Sequence, residues 1–297
     1  MTTTVPTPDA STTPAAATAG GPSVTPAVGS STRPVVTAPA DPPSALSTAL
    51  TYAARTIRQF LRTPQLLVVN SVTSIMFLLI FRYVFGGAIA TGDVAYVDFL
   101  IPALAAVSGL FAGGAVGVAE DVDSGMFDRL RSLPVPRPAV LLGRSLADTA
   151  LITWGTFISV VVGFAVGFRV HAGIGGALAG LALCVLFAAA FSWLQVFLGL
   201  VSGSAQAAQG ISFSVFPLIF VSSAYVPVRS MPGWMQPIAE NQPVTAMVGA
   251  VRSLVLGGDT EALLGHSTTW FVFRAVAWSV LILVVFASLS ARRFARL

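Results

Sequence analysis

The sequence predicts an all-α polytopic membrane protein: six transmembrane helices, an N-terminal interfacial helix and an outer re-entrant hairpin. Three observations carry that expectation. Apolar residues make up 55% of the 297-residue chain and charged residues only 9%, where a soluble domain carries about 25% charged side chains. Mean hydropathy is +0.83, and runs of roughly 20 apolar residues, enough to cross a bilayer as helices, recur along the chain. All 16 Lys+Arg residues are arginine, and they gather beside those runs.

The same composition excludes several chemistries. Without lysine there is no phosphate loop of the Walker type, whose Lys must reach the nucleotide phosphates, and no lysine Schiff-base enzyme. Cys184 stands alone and reads as a small core hydrophobe. With His171 and His266 it offers no metal-ligand spacing. Nucleic acid is not an expected partner, because the net charge of +4 is small and sits beside the spans.

Residues 1–44 hold nine of the 19 prolines in a Thr/Pro/Ala/Ser tract. Such a stretch buries too little apolar surface to offset its chain entropy, which predicts a disordered cytoplasmic tail. It has no continuous apolar segment of the kind a signal peptide needs. Over residues 45–63, Leu46, Leu50, Ala53, Ile57 and Leu61 recur at helical spacing while Arg55, Arg58 and Arg62 line another face. That is a basic amphipathic helix suited to a membrane surface, ended by Pro64.

The body, residues 64–297, divides into spans at 65–85, 99–119, within 139–167, within 174–201, at 211–226 and at 270–290. Counting arginines on alternate sides puts eleven with the N-terminus and five opposite: Arg82, Arg169, Arg229, Arg252 and Arg274. Both termini are therefore expected in the cytoplasm, with the chain in the plasma (inner) membrane. Gly109, Gly113 and Gly117, Gly163 and Gly167, and Gly176 and Gly180 are spaced for close helix approach. Arg144 and Asp148, four apart, are expected to neutralise each other near the inner face. Asn70 and Ser74 in the first span, and Gln206 and Gln209 opening the fifth, are candidates to line a pathway; interhelical hydrogen bonding accounts for them equally.

Residues 227–258 are too apolar for a plain loop and too broken by Pro227, Pro232, Pro237 and Pro243 to span. Val244, Met247, Val248, Val251 and Val255 suggest an amphipathic helix there, and the whole fits a half-inserted outer hairpin sheltered by protein or water.

The loop after the second span is the most informative stretch. Residues 120–137 pack four acids and three arginines between apolar spans. Met126, Phe127, Leu130 and Leu133 share one face of a short helix stopped by Pro134, and an apolar face exposed in a cytoplasmic loop asks for a partner surface. A helix lying crosswise at the membrane would pass a push from that partner to the spans on either side.

With Glu120, Gly125, Leu130, Leu133-Pro134 and Arg137, followed by Leu142-Gly143-Arg144, the chain resembles the permease subunit of type-2 ABC exporters, in the daunorubicin-resistance permease group of actinobacteria. The resemblance runs from about Arg55 to Arg293 and includes Pro232-Gly233-Trp234. Where that family often has Asn-Pro, this chain has Asn241-Gln242-Pro243. The resemblance implies that the loop is a coupling helix docking on a separate ATPase subunit, with Glu120, Gly125 and Arg137 taking part. It implies a pathway formed with a second copy or a related permease, in contact with membrane lipid. ATP and Mg²⁺ would be bound by the ATPase partner, and the permease itself would carry no catalytic residue, cofactor or metal. The cargo expected of so apolar a bundle is amphipathic: a drug, a lipid or a secondary metabolite. An ion-coupled secondary transporter is the alternative, but Asp148, its only deep acid, has Arg144 as neighbour. An intramembrane lipid enzyme would want clustered acids or histidines, and His171 and His266 are isolated.

Overall fold

A backbone surrounded by lipid finds no water for its N–H and C=O groups, so apolar runs fold into helices that satisfy themselves. The computed structural model describes residues 44–62, 64–89, 94–111, 114–126, 137–257 and 264–296, and all its regular elements among these are helical. Helix α1 is Ala45–Arg62; α2, Pro64–Leu79, runs on into a π-helical turn, Ile80–Phe85. Helix α3, Tyr96–Val107, tightens into a 3₁₀ turn, Ser108–Phe111, ahead of α4, Gly114–Asp123. Then come α5 (Arg137–Ala165), α6 (Gly173–Ser202), α7 (Ala205–Phe213) and α8 (Pro217–Phe220). After a 3₁₀ turn at Val228–Ser230 the chain closes with α9 (Gln236–Asn241), α10 (Pro243–Leu256) and α11 (Thr268–Arg296).

Among the described residues, α5, α6 and α11 are each long and apolar enough to cross a membrane unaided. At about 1.5 Å per residue their 29 or 30 residues exceed the roughly 30 Å of hydrocarbon. The other apolar stretches are shorter. Residues 99–119, expected as one helix, are divided between α3 and α4, where Gly109, Gly113 and Gly114 lower helix propensity. Residues 211–226 are likewise divided, because Pro217 cannot donate to the turn before it and instead opens α8.

Helix α6 is the hub and packs against α4, α5, α7, α10 and α11. Around its first half lies the larger apolar cluster, with Phe99, Leu100 and Ile101 of α3, Phe187 of α6, Met247 of α10 and Phe271 of α11 all buried. A smaller cluster closes the opposite end: Tyr52, Val118, Val140, Leu141, Val196, Leu200 and Phe294. Helix α10 is not amphipathic as its spacing suggests. Apart from Pro243 and Leu254 it is buried all round among α3, α6 and α11, since apolar partners meet every side.

Helix α1 shows how the sequence serves two surroundings at once. Ala49, Tyr52, Ala53 and Thr56 are buried against α5, while Leu46, Leu50 and Leu61 remain exposed beside Arg55, Arg58 and Arg62. The buried contact depends on Gly143. A Cβ there would stand 2.6 Å from the Ala49 carbonyl oxygen and 2.9 Å from the Tyr52 Cβ, so any side chain pushes the helices apart. Gly163 and Gly176 make similarly close approaches, to Ile101 and to the Leu254 carbonyl. Gly167 instead turns the chain at φ +109°, with nothing near its Cα to pack.

Gly143→Leu is therefore expected to destabilise the protein in detergent by about 1–3 kcal/mol, the usual range for overpacking. Gly155→Leu on the same helix, where a Cβ would meet nothing within 4 Å, should change thermal unfolding little. Equal losses in both would show that α1 does not dock through Gly143.

Candidate functional site

At the end of the bundle where α1 lies, α4 leads into the charged loop. Asp121 sits on the last turn of α4, and its Oδ2 accepts from Tyr52 Oη on α1 at 3.1 Å and from Arg144 Nη1 on α5 at 3.1 Å. Arg144 Nε donates to Asp148 Oδ2 one turn along its own helix, at 3.3 Å. Three helices are thus tied through one carboxylate, that of Asp121. Burial pushes the Tyr52 phenol up to about 12, with the charge of Asp121 adding to it, so Tyr52 stays a proton donor to Asp121 throughout the neutral range.

Burying charge is costly, and the cost is recovered only where the partners are close and well aimed. Helix α4 provides that closeness by lacking side chains at the crossing. A Cβ on Gly117 would overlap the Arg144 guanidinium, and one on Gly114 would come 2.6 Å from Asp148 Oδ2. Arg144 and Asp148 are buried; Asp121 is only partly so, facing the loop.

From Asp121 the chain passes directly to the loop. Ser124 N donates to Glu120 O at 2.9 Å, then Gly125 takes φ +66°, a left-handed turn that a side chain resists. Met126 comes back against α1, where its sulfur accepts from Arg55 Nη1 at 3.6 Å. Of the residues expected to couple, Glu120 is exposed, Gly125 makes the turn, and Met126 is half-buried on Arg55. Phe127, Leu130 and Leu133 lie outside the described residues, as does the side chain of Arg137, whose backbone opens α5. Arg58 and Arg62 are exposed on α1.

The candidate pathway residues are described only in part. Gln206 and Gln209 are exposed on α7, and the side chains of Asn70 and Ser74 lie outside the described residues. The buried polar contacts fall elsewhere: Ser108 with Thr156 and Ser145 with Ser192, each at 2.5 Å, and Ser212 Oγ donating to Gln195 Oε1 at 3.2 Å. These tie α5 to the turn after α3, α5 to α6, and α7 to α6.

The opposite end holds a buried site that sequence reasoning did not single out. Arg252, counted only among the five arginines opposite the N-terminus, is fully buried on α10. Its Nε donates to Phe99 O at 2.8 Å, Nη1 to Ser223 O at 2.6 Å and Nη2 to Ala224 O at 2.7 Å, and its guanidinium lies 3.3 Å from the centre of the Phe99 ring. Gln242 Nε2 adds a bond to Val221 O at 2.7 Å. Together they clasp the irregular chain after α8 to α3 and α10, supplying donors to carbonyls that no helix satisfies. A single arginine in an apolar helix looks like a surface charge in sequence; its carbonyl partners come from segments 28 to 153 residues away.

The family model of ABC-2 type transporters matches residues 49–256. A daunorubicin resistance ABC transporter permease protein of Streptomyces coeruleorubidus is 31% identical over 254 residues, covering 84% of this chain and 87% of that protein. Two proteins of Mycobacterium tuberculosis are also similar. One, described as a probable doxorubicin resistance ABC transporter permease protein, is 27% identical over 191 residues, 61% of this chain and 69% of its own. The other, a doxorubicin resistance ABC transporter permease protein, is 28% identical over 215 residues, 71% and 73%. The chain belongs to the ABC-2 type transporter family and is a multi-pass membrane permease subunit.

Breaking the buried triad should show what its geometry is worth. Arg144→Met leaves Asp148 buried and unpaired, with an expected loss of about 3–5 kcal/mol in thermal unfolding. Adding Asp148→Leu removes the stranded charge and should restore most of that loss. A double variant no more stable than the single would refute the pairing.

Proposed function

We propose that this permease subunit is the membrane half of an ATP-driven exporter that moves amphipathic drugs, lipids or secondary metabolites outward. The relatives named for daunorubicin and doxorubicin resistance support a drug among these cargoes. Two such bundles, identical or paired with a related permease, would enclose the pathway above two ATPase subunits. ATP and Mg²⁺ would bind there, and hydrolysis would belong to those partners.

The observation that carries the reading is the Tyr52–Asp121–Arg144–Asp148 network directly behind the loop. Met126 stands five residues after Asp121, at the exit of the same helix. A partner pressing on the loop displaces α4, and Asp121 passes that displacement to α5 through Arg144 and to α1 through Tyr52. Ion pairs and close helix contacts have discrete alternative arrangements, so a small movement at the loop becomes a shift of whole helices. Phe127, Leu130 and Leu133 complete the docking face in this reading, with Glu120 exposed at its edge to meet a basic residue of the partner.

Six crossings follow if α2 with its π turn, α3 with α4, α5, α6, α7 with α8, and α11 each traverse the bilayer. Helices α9 and α10 are then the outer hairpin, and the burial of α10 among α3, α6 and α11 gives its irregular flanks the shelter that lipid cannot. Both termini fall on the cytoplasmic side with Arg55, Arg58, Arg62 and with Arg292, Arg293 and Arg296 at the end of α11. Residues 1–44 add a cytoplasmic tail that the transport cycle does not need.

Phe127→Asp combined with Leu130→Ser removes two buried contacts of roughly 1.5–3 kcal/mol each, weakening docking by about a hundredfold or more. Normal membrane levels, lost copurification with the ATPase and lost drug efflux are expected; full efflux at normal levels would sink the coupling role. For topology, Ser230→Cys in a Cys184→Ala background should react with an impermeant thiol reagent in intact cells. Reaction only after permeabilisation would invert the arrangement.

A further inference from the structure

A groove of about 450 Å³ lies between α6 and α11 at the same end of the bundle as α1. One wall is apolar, formed by Phe197 and Val201 of α6 and Leu289 of α11; the other is Arg292, Arg293 and Arg296. Among the described residues no carboxylate lines it. The apolar wall continues along the helices, where the rings of Phe197 and Phe286 meet at 5.6 Å. The basic wall stands on an anchored turn: Phe294, among the arginines, is buried at 3% exposure in the cluster with Tyr52, Leu141 and Leu200. All three arginines are exposed.

We propose that this groove binds an anionic phospholipid of the surrounding membrane, with the guanidinium groups on its phosphate and its acyl chains along Phe197, Val201 and Leu289. Guanidinium is suited to phosphate because its planar fork gives two parallel hydrogen bonds, and it sheds water more readily than an ammonium. Basic pockets between membrane helices suit anionic head groups in the same way. A soluble phosphate compound would leave the apolar wall unused, and a zwitterionic lipid would leave the charge unmatched. The end of the bundle fits as well, since Arg55, Arg58 and Arg62 of α1 mark it as the one facing an anionic surface. This inference rests on the chain being a membrane protein and does not depend on how the loop couples to an ATPase.

Native mass spectrometry of the full chain in detergent, titrated with phosphatidylglycerol and phosphatidylcholine of equal acyl length, tests it. Phosphatidylglycerol should bind tighter by on the order of a hundredfold, the effect of three arginines near one phosphate. Arg292→Gln with Arg293→Gln and Arg296→Gln should erase that preference, whereas Lys at the same three positions should keep most of it. Leu289→Ser should weaken both lipids together. Equal affinity of the unaltered protein for the two lipids would overturn the proposal whether or not a variant folds. So would an unchanged preference in the Gln variant. Glycerol phosphate competing as well as the intact lipid would assign the groove to a soluble phosphate. Loss of ATPase copurification in the Gln variant, with lipid binding intact, would make it a protein contact.

Discussion

Arg144 is the charge around which the end of this bundle that holds α1 is assembled. Removing a guanidinium from water is costly, so it persists only where carboxylates meet it closely. One of those, Asp148, lies on its own helix and would be present in any fold of the segment; the other, Asp121, arrives from α4 and brings Tyr52 of α1 with it. The requirement propagates outward. Helix α4 must lack side chains at Gly114 and Gly117 to reach the pair, and α5 must lack one at Gly143 to let Tyr52 approach. Three glycines, a tyrosine and two acids on three helices therefore answer to one buried cation.

The far end solves a different problem with the same residue type. There the chain between α8 and α10 leaves carbonyls at Val221, Ser223 and Ala224 that no helix satisfies, and Arg252 and Gln242 satisfy them. The arginine donates to neutral acceptors and stacks on Phe99, so it fastens irregular backbone to the core rather than balancing a charge. One end of the permease is held by charges at the last turn of α4, from which the chain enters the loop; the other is held by a clasp sunk in the larger apolar cluster. An exporter needs that asymmetry in the proposed cycle, in which force enters at one face and the bundle pivots against the other.

The resemblance to the permease family was legible from the loop acids, Gly125 and the Leu133-Pro134 and Leu142-Gly143-Arg144 steps, and the family match over residues 49–256 agrees with it. The Arg144–Asp148 pair was legible too, because an i,i+4 spacing on a helix fixes the approach of two side chains before any tertiary contact forms. Asp121 was visible only as one acid among four. Nothing in the spacing distinguishes the acid that turns inward from Glu120, which remains exposed next to it. Gln206 and Gln209 drew notice for opening an apolar run; Gln195, buried in the middle of a 30-residue helix and accepting from Ser212, did not.

By itself the sequence determined that the chain is helical and lives in a membrane, where α1 begins and ends, and which connecting segment holds four acids and three arginines. Those properties follow from composition and from periods of three to four residues, both local. Tertiary structure alone decided that α10 is buried on nearly every side and that Arg252 is a clasp. It also brought three arginines and three apolar side chains into one groove. The physical reason is common to all of these: lipid and protein interior are equally apolar, so hydropathy cannot say which neighbour a side chain will meet. Only the packing of distant segments does.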